Sequence, residues 1–214
     1  MKKITLTDDS IKDLLEKLLQ RSPVSYGEYE DKVLDIIYRV RKEGDAALFD
    51  YTKQFDHVDL DASNLIVTKE EIEEAYRLVD PKLLSVIRKA MENIKDYHEK
   101  QLEKSWFTSQ DNGVILGQKV TPMERVGVYV PGGKAVYPSS VLMNVMPAKI
   151  AGVDHIYMTT PPSKDGKVYP STLVAAHEAG VDTIYKIGGA QAIAASRSTS
   201  SPARLPWRSP RRMT

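Results

Sequence analysis

The sequence contains no cysteine. That excludes disulfides and thiolate-held metals, and it fits a cytoplasmic protein. No apolar run approaches the roughly 20 residues that a membrane-spanning helix needs, so no membrane partner is expected. The N-terminal MKKITLTDDS has two lysines but no apolar stretch behind them, so a signal peptide is not expected either. A strong charge of either sign is also missing: the formal net charge is +1. It is unevenly placed, with five arginines and no acid between Ser196 and Thr214. Taking those five charges from +1 leaves the preceding body at −4, mildly acidic and unlike a nucleic-acid binder.

What remains is an ordinary globular composition. The 214 residues are 42% hydrophobic and 28% charged, enough to bury a sizeable core in one or two domains. The first half has helical periodicity. Asp8, Asp9 and Ser10 are N-cap types ahead of IKDLLEKLLQR, and Ser22-Pro23 ends that segment. In YEDKVLDIIYRVRKEG, Val33, Ile36, Ile37 and Val40 repeat at the helical period, and Gly44 stops the run. DAALFDYTKQFD predicts a short helix and Leu65–Val67 a short strand. Thr68 and Glu71 form a capping box. Asp80-Pro81 is a cap followed by proline at the first helical position, opening a long amphipathic helix over 82–104.

The pattern changes near residues 104–124. WFTSQDNGVILGQKVTP predicts a hairpin turning at Asp111-Asn112-Gly113. VGVYV then predicts a strand covered on both faces. VLMNVMPAKIAG, HIYMTT, STLVAAHEAG and TIYKI continue as helix, strand, helix and strand, and Gly188-Gly189 leads into AQAIAA. The expected fold class is therefore α/β: a helical N-terminal region (1–104), then a hairpin and a partial Rossmann-like parallel sheet with helical crossovers (105–195).

Ligands of open parallel sheets sit at the carboxyl ends of the strands. PGGKAVYPSS and GGAQ occupy that position, each with glycines just before a helix N-terminus, where free N–H groups and the helix dipole favour an anion. Ordinary tight turns have the same pattern, and neither loop is GxGxxG or GxxxxGK[ST]. The four histidines, His57, His98, His155 and His177, have no i, i+4 pair suited to a metal. No cysteine nucleophile and no GxSxG elbow is present. Residue chemistry alone thus points to half of a cofactor site without a catalytic set.

ERVGVYVPGGKAVYPSSVLMNVMPAKIAGV and KIGGAQAIAA closely resemble the histidinol dehydrogenases, and KEGDAALFDYTKQFD resembles the N-terminal region of the same family. The resemblance runs from the N-terminus to Ala195. It implies a homodimeric, zinc- and NAD-dependent enzyme that oxidises L-histidinol through a bound aldehyde to L-histidine, with two hydride transfers. It also implies that Tyr129 and Gln191 contact NAD. On its residues alone, Tyr129 reads rather as a core tyrosine. The family chain is about twice as long, and its zinc ligands, its glutamate–histidine acid/base pair and its substrate contacts fall beyond the matched part. No catalytic or metal residue is therefore carried over.

SRSTSSPARLPWRSPRRMT has no hydrophobic period, and its composition predicts a disordered basic tail from 196 to 214. A reading-frame shift after Ala195 with an early stop is the expected origin. A cloning artefact and a basic tail for an acidic partner are the alternatives. The expected function is a truncated, inactive histidinol dehydrogenase. The competing one is a non-catalytic nucleotide-binding module with a basic interaction tail.

Overall fold

The computed structural model describes Thr7, Ile11 and residues 27–132 and 136–197. The helix expected to follow Ser10, its end at Ser22-Pro23, and the tail from 198 onward lie outside these residues. The chain divides into two compact units, residues 1–36 and 37–214. Helix α1 (Gly27–Glu43) runs through the division. Of its expected apolar face, Val40 is buried, Ile36 and Ile37 are half-buried, and Val33 is exposed.

In residues 37–214, the left-handed Gly44 (φ 64°) separates α1 from α2 (Asp45–Asp56). The expected strand Leu65–Val67 is reduced to a single antiparallel bridge, Ile66 with Tyr185. Val67 N–H donates to the Ile184 carbonyl, and Lys186 N–H donates to that of Leu65. The segment is too short for a ladder. Asp61 turns the chain just before it by accepting from Ser63 and Asn64, and Thr68 caps a helix just after it.

That helix, α3 (Lys69–Leu78), has the expected capping box. Thr68 Oγ1 accepts from Glu71 N–H, and Glu71 Oε2 accepts from Thr68 N–H at 2.8 Å. In α4 (Pro81–Glu99), Asp80 caps Lys82 N–H as expected. The helix ends five residues before Lys104, because Gln101 and Leu102 bond three residues back and tighten the last turn.

Strands β1 (Trp106–Ser109) and β2 (Ile115–Gln118) form the expected antiparallel hairpin. Gly113 N–H donates to Gln110 O with Gly113 at φ 82°, a conformation that favours glycine. All eight strand residues are exposed.

The remaining elements alternate: β3 (Arg125–Tyr129), α5 (Pro138–Ile150), β4 (His155–Thr159), α6 (Pro170–Ala179), β5 (Thr183–Tyr185) and α7 (Gly189–Arg197). The three strands are parallel in the order β3-β4-β5, with Tyr129, Thr159 and Tyr185 in one row. Together with the helices this is an α/β fold. On one face, Val126, Val128, Ile156, Met158 and Ile184 share a core with Val141 and Val145 of α5, Leu173 and Val174 of α6, Ala75 of α3 and Ile87 of α4. By alternation, Tyr129, Tyr157 and Tyr185 lie on the other face. Helix α7 packs against α2.

Two expectations need correction. VGVYV is not covered on both faces: Val128 is buried on the face that the helices cover, while Gly127 is exposed and Tyr129 half-buried on the other. The helix opened at GGAQ also does not stop at Ala195. It includes Ser196 and Arg197, and Ser196 Oγ turns back to bond Ile193 O. Serine can stay helical when its hydroxyl takes a carbonyl of the preceding turn.

Candidate functional site

Three loops leave the carboxyl ends of the sheet: 130–137 after β3, 160–169 after β4 and 186–188 after β5. The centre of the first, 133–135, lies outside the described residues. Tyr129 ends β3, and its hydroxyl accepts the backbone N–H of Gly189, the first residue of α7, at 3.2 Å. Gln191 sits two residues further on, 1% exposed, and neither its Nε2 nor its Oε1 has a hydrogen-bond partner. Its amide lies against Gly189, where a Cβ would stand 3.0 Å from both Gln191 Cδ and Nε2. Gly189 is also at φ 64°, so both space and conformation call for glycine there. The two residues singled out in the sequence, 62 positions apart, thus meet at one glycine.

A carboxamide offers two N–H donors and two acceptor lone pairs. Burying one without partners costs about 1–3 kcal/mol. Gln191 stands in the first turn of α7 on the carboxyl edge of the parallel sheet, the edge where ligands of such sheets bind.

Pro161, from the middle loop, separates the outer two. A Cβ at Gly132 would stand 2.9 Å from Pro161 Cγ, and one at Gly188 2.5 Å from Pro161 Cβ. This contact joins three loops far apart in the chain and has no local signature in any one of them.

The histidines are dispersed. His57 ends α2 in the left-handed conformation, and His98 Nδ1 lies 2.6 Å from Gln101 Oε1. His155 stacks near Tyr157, and His177 Nδ1 is 2.9 Å from the Tyr76 hydroxyl. Among the described residues, no group of three or more His, Asp or Glu could hold a metal ion.

A cleft of about 980 Å³ lies elsewhere: Phe55, Asp56 and His57 from the end of α2, Leu78 of α3, and Pro162 and Tyr169 of the β4–α6 loop help line it. Burial raises the Asp56 carboxyl above its usual value, and its Oδ2 has no partner. A smaller adjoining hollow includes Lys186, 5% exposed, whose Nζ is 2.8 Å from Glu71 Oε1. Lys186 escaped the sequence reading because TIYKI scans as a plain strand.

A family model described as histidinol dehydrogenase matches residues 19–198. Among curated relatives, the histidinol dehydrogenase of Heliobacterium mobile is 51% identical over 180 residues, covering 84% of this chain and 42% of its own. That of Geobacillus kaustophilus is 57% identical over 163 residues, 76% of this chain and 38% of its own. A crystal structure of histidinol dehydrogenase from Elizabethkingia anophelis, 37% identical, matches 78% of this chain and 38% of that one with a TM-score of 0.73. The chain spans about two-fifths of the length of these relatives.

Proposed function

Because the chain belongs to the histidinol dehydrogenase family, we propose that it forms one side of the NAD site of an L-histidinol-oxidising enzyme and does not complete the reaction by itself. The observation that carries this reading is the buried, unpartnered Gln191 amide beside the Tyr129–Gly189 bond. The edge fits a nucleotide. Gln191 donates to and accepts from a polar group of the cofactor, and Tyr129 keeps the first N–H of α7 engaged and offers its ring to the same ligand. When bound, NAD supplies the hydride acceptor.

Zinc has no three-residue seat among the described residues. Oxidising an alcohol also requires a base beside its proton. The family resemblance assigns none to this part of the chain, which spans about two-fifths of its relatives. L-Histidinol and a homodimeric partner belong to the complete enzyme.

The test is calorimetric titration of NAD into the purified chain, with NADH formation from L-histidinol followed in parallel. Binding is expected, weakened by about 1–3 kcal/mol in Gln191→Ala and in Tyr129→Ala, without turnover. Unchanged NAD affinity in both variants refutes the site. Turnover on the order of 1–1,000 per second refutes the claim that the chain cannot complete the reaction.

A further inference from the structure

The geometry points to Pro161 as a positioning residue of the nucleotide edge: its ring holds the loops after β3 and β5 at the separation that lets Tyr129 and Gln191 serve one ligand. This rests on the NAD reading above.

Gly132 and Gly188 face the same proline from opposite loops. A Cβ at Gly132 would stand 2.9 Å from Pro161 Cγ and 3.3 Å from both its Cδ and its carbonyl oxygen. At Gly188 the distances would be 2.5 Å to Cβ, 3.0 Å to Cγ and 3.1 Å to Cδ. Neither glycine is among those with positive φ. They are needed for room, whereas Gly189 next door needs its left-handed backbone.

The obstacle is also rigid. A Cβ at Gly180 would meet Lys149 Cε at 2.8 Å, but that is the far end of a flexible chain that can swing away. The Pro161 ring is closed onto its own backbone. The backbone is tied on both sides: Thr160 N–H donates to the Tyr185 carbonyl at 3.1 Å, and Val130 N–H to the Thr159 carbonyl at 2.9 Å. Thr160 is itself buried. Three strand ends therefore converge on one ring. The loop pressed against it from the β5 side continues directly into Gly189, the donor to Tyr129, and Gln191. Moving Gly188 moves Gln191 and the N–H that holds the Tyr129 hydroxyl.

A double-mutant cycle on the full chain tests this, using Gly188→Ala, Pro161→Ala and the pair. The readouts are the dissociation constant for NAD, the exchange rate of the Gly189 amide, and the melting temperature. Gly188→Ala is expected to weaken NAD about tenfold, as overpacking does, and to speed Gly189 exchange. Pro161→Ala is expected to weaken NAD and speed Gly189 exchange through loss of the ring. In the Pro161→Ala background, Gly188→Ala should then cost less, because Cγ and Cδ are gone and the remaining Cβ sits on a backbone freed of the ring.

Equal cost of Gly188→Ala in both backgrounds overturns the proposal. So does wild-type NAD affinity and Gly189 exchange in Pro161→Ala, even if its melting temperature falls, since that is what a merely structural contact would give. If Gly188→Ala does not fold, Pro161→Ala alone decides by the same two readouts. If the unaltered chain binds no NAD, the cofactor reading fails, and non-additive Gly189 exchange still decides whether the ring sets the loops.

Discussion

The hairpin β1–β2 and the parallel sheet β3–β4–β5 carry similar side chains with different outcomes. Trp106, Phe107, Ile115 and Leu116 are all exposed on the hairpin, whereas Val128, Ile156, Met158 and Ile184 are buried on the sheet. Both ladders are regular, and the hairpin has the better local turn signal. What differs is cover. Helices α3 to α6 share one core with the sheet, while every strand residue of the hairpin is exposed. A two-stranded hairpin is marginal in water even when its turn is favourable. Apolar pattern and turn chemistry shape a strand; burial comes from what packs on it.

The largest contrast concerns charge. Lys186, just past β5, is buried and paired with Glu71, which also serves the α3 capping box. Lys119, just past β2, is exposed. Lys186→Ala leaves the part-buried Glu71 carboxylate without its buried cation and is expected to cost about 3 kcal/mol in urea unfolding. Lys119→Ala should fall within about 0.5 kcal/mol. Similar costs at the two positions would break the comparison.

The apolar version follows. Ile156 is fully buried and Ile115 is 72% exposed. Ile156→Ala is expected to cost about 2–5 kcal/mol and Ile115→Ala about 0.5 kcal/mol or less in the same assay. A large loss at Ile115 would show that the hairpin is covered in solution.

Sequence alone could not separate these cases. Alternation, glycine stops and caps are local, so the α/β order, the Thr68–Glu71 box and the Gln110–Gly113 turn could be read from it. The exposure of Ile115, the pairing of Lys186 with Glu71 and the edge position of β3 depend on elements far apart in the chain. The candidate site divides in the same way. Tyr129 and Gln191 were reached through the resemblance. Their meeting at Gly189 and the Pro161 contact are products of the parallel register.

Gln191 and Gln118 give a third, smaller contrast. The Gln191 amide is buried without partners, while Gln118 is exposed on the hairpin. Gln191→Leu removes an unpaired polar group and is expected to stabilise the fold by about 1 kcal/mol while weakening NAD. Gln118→Leu should change neither. Destabilisation in Gln191→Leu would mean that the amide has partners in solution without NAD.

The smallest effect belongs to the helices that cover the sheet. Glu178 on α6 accepts from the Tyr76 hydroxyl of α3 at 2.6 Å and from Arg88 of α4 at 2.7 and 2.9 Å. The Arg88 guanidinium, with help from the Tyr76 hydroxyl, lowers the Glu178 carboxyl from its ordinary 4.5 to about 2, against the opposing effect of burial. A carboxyl depressed in the folded state stabilises it above the unfolded value, and that contribution is lost as pH falls through the folded one. Glu178→Gln should therefore melt below the parent protein at pH 6. The gap should narrow from about pH 4.5 downward and close near pH 2, while carboxylates common to both proteins titrate equally. Arg88 is 57% exposed, so water and salt screen the pair, and the gap should not exceed about 3 °C. Thermal melts of the two proteins at matched pH decide it: a gap that persists unchanged at pH 2 would assign the effect of Glu178 to packing rather than to its charge.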